Sequence, residues 1–385
     1  MTEWIFWVAA AATTYAYAGY PALLYVLARL RPRDVVIPAT ADDSLPTVTM
    51  IVPAHNERAR IDAKLRNTRE LDYPAGRLEV LFVSDGSTDG TAERIRESLD
   101  ERTRVHELAG RGGKAAALNA GLQLARHDII VFSDASILLE RDAVKHIARP
   151  FAVPEVGCVS GEDRIAEAGG EGLYGRYELW MRRIESRLSS IVGASGSFYA
   201  QRRELCRPFV PGLAPDFLSV LYTVEQGYRA ISHADATGTM TALDNPADEF
   251  GRKVRTILRG ISTLAAHRQV LNPFRFGLFA LQMASHKLAR WLVPFFLIVM
   301  LVASVPLARA SGLYLSLLIG QLAFYALAVL GLFPRLPLAR SLPARIAVYF
   351  TVANVATLVA WVKFAAGARQ EIWSPTRRER AGEGG

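Results

Sequence analysis

The feature that most constrains this chain is a set of stretches that contain no charged residue. Trp4–Ala28, Trp291–Ala308 and Ala310–Pro334 carry no Asp, Glu, Lys or Arg, and a shorter stretch, Ile346–Val362, is closed by Lys363. A helix needs about 20 apolar residues to cross the hydrocarbon of a bilayer. By that measure the first and third stretches span easily, the second spans, and the fourth is marginal. The first has no basic region ahead of it, and Arg29, Arg31 and Arg33 follow it. This is the reverse of a cleaved signal peptide. Residues 1–33 are therefore expected to form a retained membrane helix with its basic end in the cytoplasm. In the stretch 274–290, Phe276, Phe279 and Met283 recur at helical spacing and His286, Lys287 and Arg290 punctuate its end. That pattern predicts an interfacial helix. Residues 291–367 follow with two or three spans. The loop bearing Arg335, Arg340 and Arg345 and the 368–385 tail bearing Arg369, Arg377, Arg378 and Arg380 are both basic, so charge alone leaves the side of the tail open.

Of the 385 residues, 51% are apolar and 21% charged, with 45 Lys and Arg against 37 Asp and Glu for a net charge of +8. Such a composition excludes a disordered chain, a coiled coil and a disulfide-held scaffold. The apolar surplus sits at the two ends and leaves residues 45–265 as an ordinary globular domain. Its two cysteines, Cys158 and Cys206, form no CxxC pair and fit a reducing compartment.

Within that domain Thr47–Val52, Leu78–Val83, Arg104–Leu108 and Ile129–Phe132 read as strands. Helices are expected after the first strand through Ile61 and Leu65, after the second through Ala92, Ile95 and Leu99 with Ser87 or Thr88 as cap, and over Lys114–Ala125. Alternating strands and helices predict an α/β fold with a mostly parallel, Rossmann-like sheet. Ligands of such sheets bind beyond the carboxyl ends of the strands. Asn56 and Glu57 follow the first strand, Asp85 the second, Lys114 the third and Asp134 the fourth, so four successive strand ends converge on one crevice.

Carboxylates beside the basic turn Gly110-Arg111-Gly112-Gly113-Lys114 suit a phosphate ligand bridged by a hard cation, which takes oxygen ligands and keeps phosphate oxygens and waters among them. Neither a G-x-G-x-x-G after the first strand nor a Walker lysine motif is present. His233 and His267 are isolated and read as structural or surface residues more readily than as metal ligands.

The ordered motifs Val52-Pro53-Ala54-His55-Asn56-Glu57, Val83-Ser84-Asp85-Gly86-Ser87-Thr88-Asp89-Gly90-Thr91, Gly113-Lys114-Ala115-Ala116-Ala117-Leu118-Asn119 and Phe132-Ser133-Asp134-Ala135-Ser136 resemble those of inverting family 2 glycosyltransferases. Gly193-Ala194-Ser195-Gly196-Ser197-Phe198-Tyr199-Ala200 resembles the loop lining their acceptor side, and Pro215-Asp216-Phe217 stands where they carry a catalytic carboxylate. The resemblance covers roughly Thr47 to Arg259, and the flanking apolar stretches match the membrane-bound bacterial branch. It implies a GT-A fold and a nucleotide-diphosphate sugar donor, with UDP as the expected nucleotide.

Carried over, Pro53, Ala54, Asn56 and Glu57 border the nucleoside pocket, Asp85 meets the base, and Lys114 lies near base and diphosphate. Ser133 and Asp134 contact the ribose, and Asp134 with Ser136 would hold Mg²⁺ or Mn²⁺. Ser136 departs from the second carboxylate of a DxD motif, so the metal rests mainly on Asp134 and the diphosphate. Gly193, Ala194, Ser195 and Gly196 line the acceptor side. Asp216 is the expected general base, against the alternative of a helix cap. Arg252, Arg255 and Arg259 share one helical face, where Arg255 or a neighbour would hold the leaving diphosphate, or else the face meets anionic lipid. Arg182, Arg183 and Arg187, with Trp180, read as an interfacial or acceptor-side surface, not as nucleic-acid recognition.

The expected enzyme is a multi-pass protein of the plasma (inner) membrane with a cytoplasmic catalytic domain. It would act on a lipid-linked or glycan acceptor in exopolysaccharide or glycolipid assembly. No QxxRW motif is present, which favours single additions over a processive polysaccharide synthase, the nearest rival. A non-catalytic glycan-assembly subunit and an export component are the rivals from other classes.

Overall fold

The computed structural model describes residues 1–38, 41–165, 170–240, 246–333 and 335–368, and the arginines of the tail lie outside them. Among the described residues one sheet is built from β1 (Val48–Ala54), β2 (Leu78–Ser84), β3 (Thr103–Glu107), β4 (Ile129–Ser133), β5 (Ile137–Leu139), β6 (Val156–Ile165), β7 (Phe198–Arg202) and β8 (Arg229–Met240). Its spatial order is β3-β2-β1-β4-β7-β6-β8-β5. β1, β2 and β4 are buried along their whole length, as near-continuous apolar runs in a parallel sheet should be.

The first four strands are parallel, as expected, with β1 and β2 in register from Val48↔Leu78 to Ala54↔Ser84. The sheet then departs from a mostly parallel one. β7 runs antiparallel to both β4 and β6, and β8 antiparallel to β5. This reversal matters for the site. Pairing Ser133 with Phe198 sets the end of β4 against the start of β7, so the segment before β7 lies beside Asp134.

Side-chain alternation divides the core into two layers. Met50, Val52, Val80 and Phe82 face one side with Ile61 and Leu65. Ile51, Leu81 and Val83 face the other, with Leu118, Phe217, Leu218, Phe279 and Met283. The second layer contains residues from Leu278–Leu307, the first apolar C-terminal helix, so this helix roots directly on the sheet.

Among the described residues three helices are long and apolar enough to cross a membrane: Leu278–Leu307, Gly312–Gly331 and Leu342–Ala365. Two expectations change here. The stretch 274–290 is not a separate interfacial helix. From Leu278 it continues through a π-helical turn, Ala284–Ala289, into Arg290–Leu307. The marginal fourth stretch is part of a full helix of 24 residues. At the N-terminus Thr2–Thr14, a π-helical turn Tyr15–Gly19 and Tyr20–Leu30 follow without a break. Phe6 packs against Ala303, Leu307 and Tyr314. This first helix is not one of the three apolar enough to count as spans.

A buried polar cluster fixes these helices to the domain. Tyr20 Oη donates to Glu185 Oε1 at 2.8 Å, and His286 Nδ1 lies 2.7 Å from the same oxygen. His286 Nε2 is 3.1 Å from Glu178 Oε2, and Arg290 pairs with the other oxygen of Glu178. The first helix, the Gly170–Leu188 helix and the first apolar C-terminal helix are thereby held through one set of charges.

Candidate active site

The register of β1 and β2 brings the Asn56 and Asp85 loops together. Asn56 has a left-handed backbone, φ 53°. Its Oδ1 accepts from Thr88 N at 2.9 Å and its N–H donates to Ser87 Oγ at 3.2 Å. Glu57 is buried, and burial raises its carboxyl above the ordinary range, reinforced by the charge of Asp134 and opposed by Arg60. The Ala54 carbonyl accepts from Asp85 N at 2.8 Å. Pro53 and Ala54 are thus the buried end of β1 that carries this loop. The next helix begins at Thr91 with Gly90 as its cap and ends at Arg96, so neither Ser87 nor Thr88 caps it and Leu99 lies beyond it.

Asp85 holds the glycine-rich turn. Its Oδ1 accepts from Gly112 N at 2.7 Å and its Oδ2 from Gly113 N at 2.8 Å. A carboxylate has about four acceptor positions, so room remains for a ligand N–H. The turn delivers Lys114 to the centre of the site. Its ammonium nitrogen lies 2.5 Å from Asp134 Oδ1 and donates to the Gly196 carbonyl at 3.1 Å. The Asp134 amide in turn donates to the Ser197 carbonyl at 2.9 Å.

Behind Asp134 stands a residue that sequence patterning did not single out. Lys64 is fully buried in helix Ile61–Glu70 and donates to Ser133 Oγ at 2.8 Å and to the Ile137 carbonyl at 2.7 Å. It clamps both ends of the Asp134-Ala135-Ser136 turn. Burial pushes its ammonium down to about 7, with Asp134 opposing. A signal was present, because Lys64 shares the buried helix face of Ile61, Leu65 and Thr68.

The loop before β7 is built around Ser195. Its hydroxyl donates to Asp163 at 2.7 and 2.8 Å and accepts from Ser197 N and Phe198 N at 3.1 Å each. Asp163, also missed from sequence, has its carboxyl raised by burial, with Ser195 opposing. Asp216 faces this loop, its Cγ 4.0 Å from where a Cβ on Gly196 would stand. The alternative of a helix cap does not hold. Ala214 is the N-cap of helix Pro215–Glu225 and Asp216 sits in its first turn, where the helix dipole favours an anion. Among the described residues the Asp216 carboxylate has no hydrogen bond or ion pair, so its oxygens are open to a ligand hydroxyl.

Arg255 is not brought into this constellation by any hydrogen bond or ion pair among the described residues. Its neighbour Arg259 is the one that feels Asp216, and burial together with Arg255 lowers its guanidinium. His233 groups with His146 and Asp235 as a possible metal cluster on other elements. The His233 Nδ1 there accepts from Asp235 N at 3.3 Å. At the strand-end site the donor set fits a hard cation. Asp134 Oδ1 is held by Lys114 while Oδ2 takes no hydrogen bond from the described residues, and Ser136 adds a partly exposed hydroxyl. Mg²⁺ sites of this kind need one or two carboxylates, the rest coming from phosphate and water.

A mixed sheet with a nucleotide-type crevice at its carboxyl end and an acidic turn after β4 defines the GT-A class. Residues 49–207 match the family model for glycosyl transferase family 2. The beta-monoglucosyldiacylglycerol synthase of Nostoc sp. is 31% identical over 196 residues, 48% of this chain and 41% of that protein. The poly-beta-1,6-N-acetyl-D-glucosamine synthase of Staphylococcus aureus is 32% identical over 125 residues, 32% of this chain and 30% of that protein. The matched stretches therefore cover less than half the length of these curated relatives. A mannosyltransferase from Pyrobaculum calidifontis, solved with GDP-Man and Mn²⁺, is similar over 94% of this chain and 98% of its own, with TM-score 0.73 and 27% identity. Residues 49–207 thus carry a glycosyl transferase family 2 domain.

Proposed function

We propose that this chain is a membrane-anchored, inverting glycosyltransferase. It takes a sugar from a nucleotide-diphosphate donor, with UDP as the favoured nucleotide, and passes it to a lipid-linked or glycan acceptor in exopolysaccharide or glycolipid assembly. One observation carries this reading: Lys114 touches both Asp134 and Gly196, while the Asp216 carboxyl carbon stands 4.0 Å from where a Cβ on Gly196 would be. A donor diphosphate at Lys114 and an acceptor hydroxyl at Asp216 would then meet across one glycine.

Asn56, Glu57 and Asp85 line the nucleoside end, and Lys114 offers a cation to the diphosphate. Asp134 and Ser136 would hold Mg²⁺ or Mn²⁺, which neutralises charge on the departing nucleotide. Asp216 accepts the acceptor hydroxyl's proton as that oxygen bonds to the anomeric carbon and the sugar–phosphate bond breaks on the opposite face. General-base catalysis of this kind contributes about 10²–10⁴-fold. Direct displacement inverts the anomeric centre and leaves no covalent intermediate. The Leu278–Leu307 helix roots on the same core layer as Phe217, which supports an acceptor that arrives from the bilayer. With Thr2–Leu30 alongside the C-terminal helices, the anchor would be four helices in the plasma membrane and the domain cytoplasmic.

Purified full-length protein, offered UDP- and GDP-sugars with membrane lipid extract, should release nucleotide and form a glycolipid or glycan with at least one donor. The anomeric configuration of the product should be opposite to that of the donor. Donor binding without transfer from any sugar would favour a non-catalytic assembly subunit.

A further inference from the structure

Lys287, beside the acceptor-side loop, and Arg182, on the Gly170–Leu188 helix, make no hydrogen bond or ion pair among the described residues, unlike the cations that flank them. Lys287 lies in the π-helical turn where the first apolar C-terminal helix leaves the sheet. Its ammonium nitrogen would stand 3.4 Å from a Cβ on Gly193 and is 5.8 Å from the ring centre of Phe217. It therefore sits between the loop and the residue after Asp216, and its electrostatic neighbours are Glu178, Arg182, Asp216 and Glu185. Arg182, on the Gly170–Leu188 helix, is partly buried and is a charge felt by both Lys287 and Asp163.

Along the same two helices the flanking cations are matched. His286 bonds Glu178 and Glu185, Arg290 pairs with Glu178, Arg183 with Glu162 at 2.6 Å, and Arg187 with Asp34 at 2.8 Å. Among the described residues neither Arg182 nor Lys287 makes a hydrogen bond or ion pair. Carboxylates lie near both cations without closing either in a direct contact, so both charges stay available to a ligand anion. A guanidinium fork beside an ammonium suits a phosphate. Because Lys287 stands at the foot of a spanning helix, that phosphate is best supplied from the bilayer.

Building on the transferase function above, we propose that Arg182 and Lys287 form an anion subsite. It holds the phosphate of a phosphorylated lipid acceptor and presents the acceptor's sugar hydroxyl to Asp216. The reaction is unchanged; the subsite adds a choice among acceptors, favouring a sugar carried on lipid phosphate over the same sugar on a neutral lipid.

The test uses the full chain in phosphatidylcholine nanodiscs and two probes with the same monosaccharide, one on a polyprenyl diphosphate and one on diacylglycerol. Binding is read by photo-crosslinking and transfer by product formation. Wild type should bind the diphosphate probe at least tenfold more tightly. Arg182→Gln and Lys287→Met should remove that preference, Lys287→Arg should restore it, and intact nucleotide binding shows that the variants are folded. Equal binding of the two probes by wild type, or a preference that survives both charge removals, overturns the subsite. Should the preference vanish when phosphatidylglycerol or inorganic phosphate is added, with the neutral probe then used well, the cations serve bystander phosphate and the acceptor assignment fails. Preferential binding with no transfer to either probe would count against the transferase function while supporting the subsite.

Discussion

Lys114 and Asp134 form an ion pair of 2.5 Å across the gap between the glycine-rich turn and the end of β4. Both side chains are partly exposed, so the pair adds little to folding, and under the proposed function it presents charge to the donor. Lys114→Met should therefore lower affinity for the nucleotide-sugar donor about tenfold or more, the size of a lost charge-assisted hydrogen bond. Its thermal unfolding should stay close to wild type. Calorimetric titration with UDP- and GDP-sugars measures this, and unchanged affinity would remove Lys114 from the donor pocket.

Gly86 makes the Asp85 loop possible. Its φ is +58°, and a Cβ there would stand 2.7 Å from the Arg111 backbone nitrogen. Gly86→Ala should push the glycine-rich turn away from Asp85 and weaken donor binding. The lesion is local, so far-ultraviolet circular dichroism should change little while the titration loses its signal.

Lys64 predicts a pH dependence with a definite sign. Burial brings its ammonium to about 7, against an unfolded value of about 10.4. Between those values the unfolded chain holds a proton that the folded chain has released, so unfolding takes up a proton and this site's contribution to stability rises with pH. Below about 7 both states are protonated and the cost of the buried charge is felt in full. Lys64→Met should flatten the rise in unfolding temperature between pH 7 and 10. It should also loosen the Asp134 turn, visible as weaker metal-dependent donor binding. A slope equal to that of wild type would contradict this origin.

Glu185 is the hub of the anchor cluster, accepting from Tyr20 and facing His286 with no exposed surface. Glu185→Ala leaves the Tyr20 hydroxyl and His286 Nδ1 without this partner while His286 keeps Glu178, a cost of about 1–3 kcal/mol for a buried polar group left unsatisfied. The unfolding temperature in detergent should fall by several degrees, and protease should cut more readily between the first helix and the domain. Cleavage and melting like wild type would show that apolar packing alone holds the anchor.

What could be read from sequence followed from how local each signal is. The strand runs and the residues just after them are set by contiguous chemistry, which is why Asn56, Asp85, Lys114 and Asp134 could be placed at one edge before any coordinates. The reversal of β7 could not, because it depends on which long strands pair, and it is what carries Gly196 to Lys114. Lys64 and Asp163 were hidden for another reason. Each acts through a partner about 30 or more residues away, Ser133 for one and Ser195 for the other. Arg252, Arg255 and Arg259 share one helical face in sequence, and only tertiary placement shows Arg259 within reach of the Asp216 charge. The continuity of 278–307 was hidden because His286 and Arg290 look like surface residues in sequence, whereas in the fold they bond Glu178 and Glu185 inside the protein.

The most direct measurement is the pair of activities of Asp216→Asn in the full-length protein. The substitution keeps the size of the side chain and removes only its capacity to accept a proton. Sugar transfer should fall by at least about 10²-fold, while calorimetric affinity for the nucleotide-sugar donor stays within about twofold, since the proposed base makes no hydrogen bond to Lys114 or Asp134, the proposed donor-side pair. Transfer near the wild-type rate would contradict the central claim that Asp216 is the base of a glycosyl transfer.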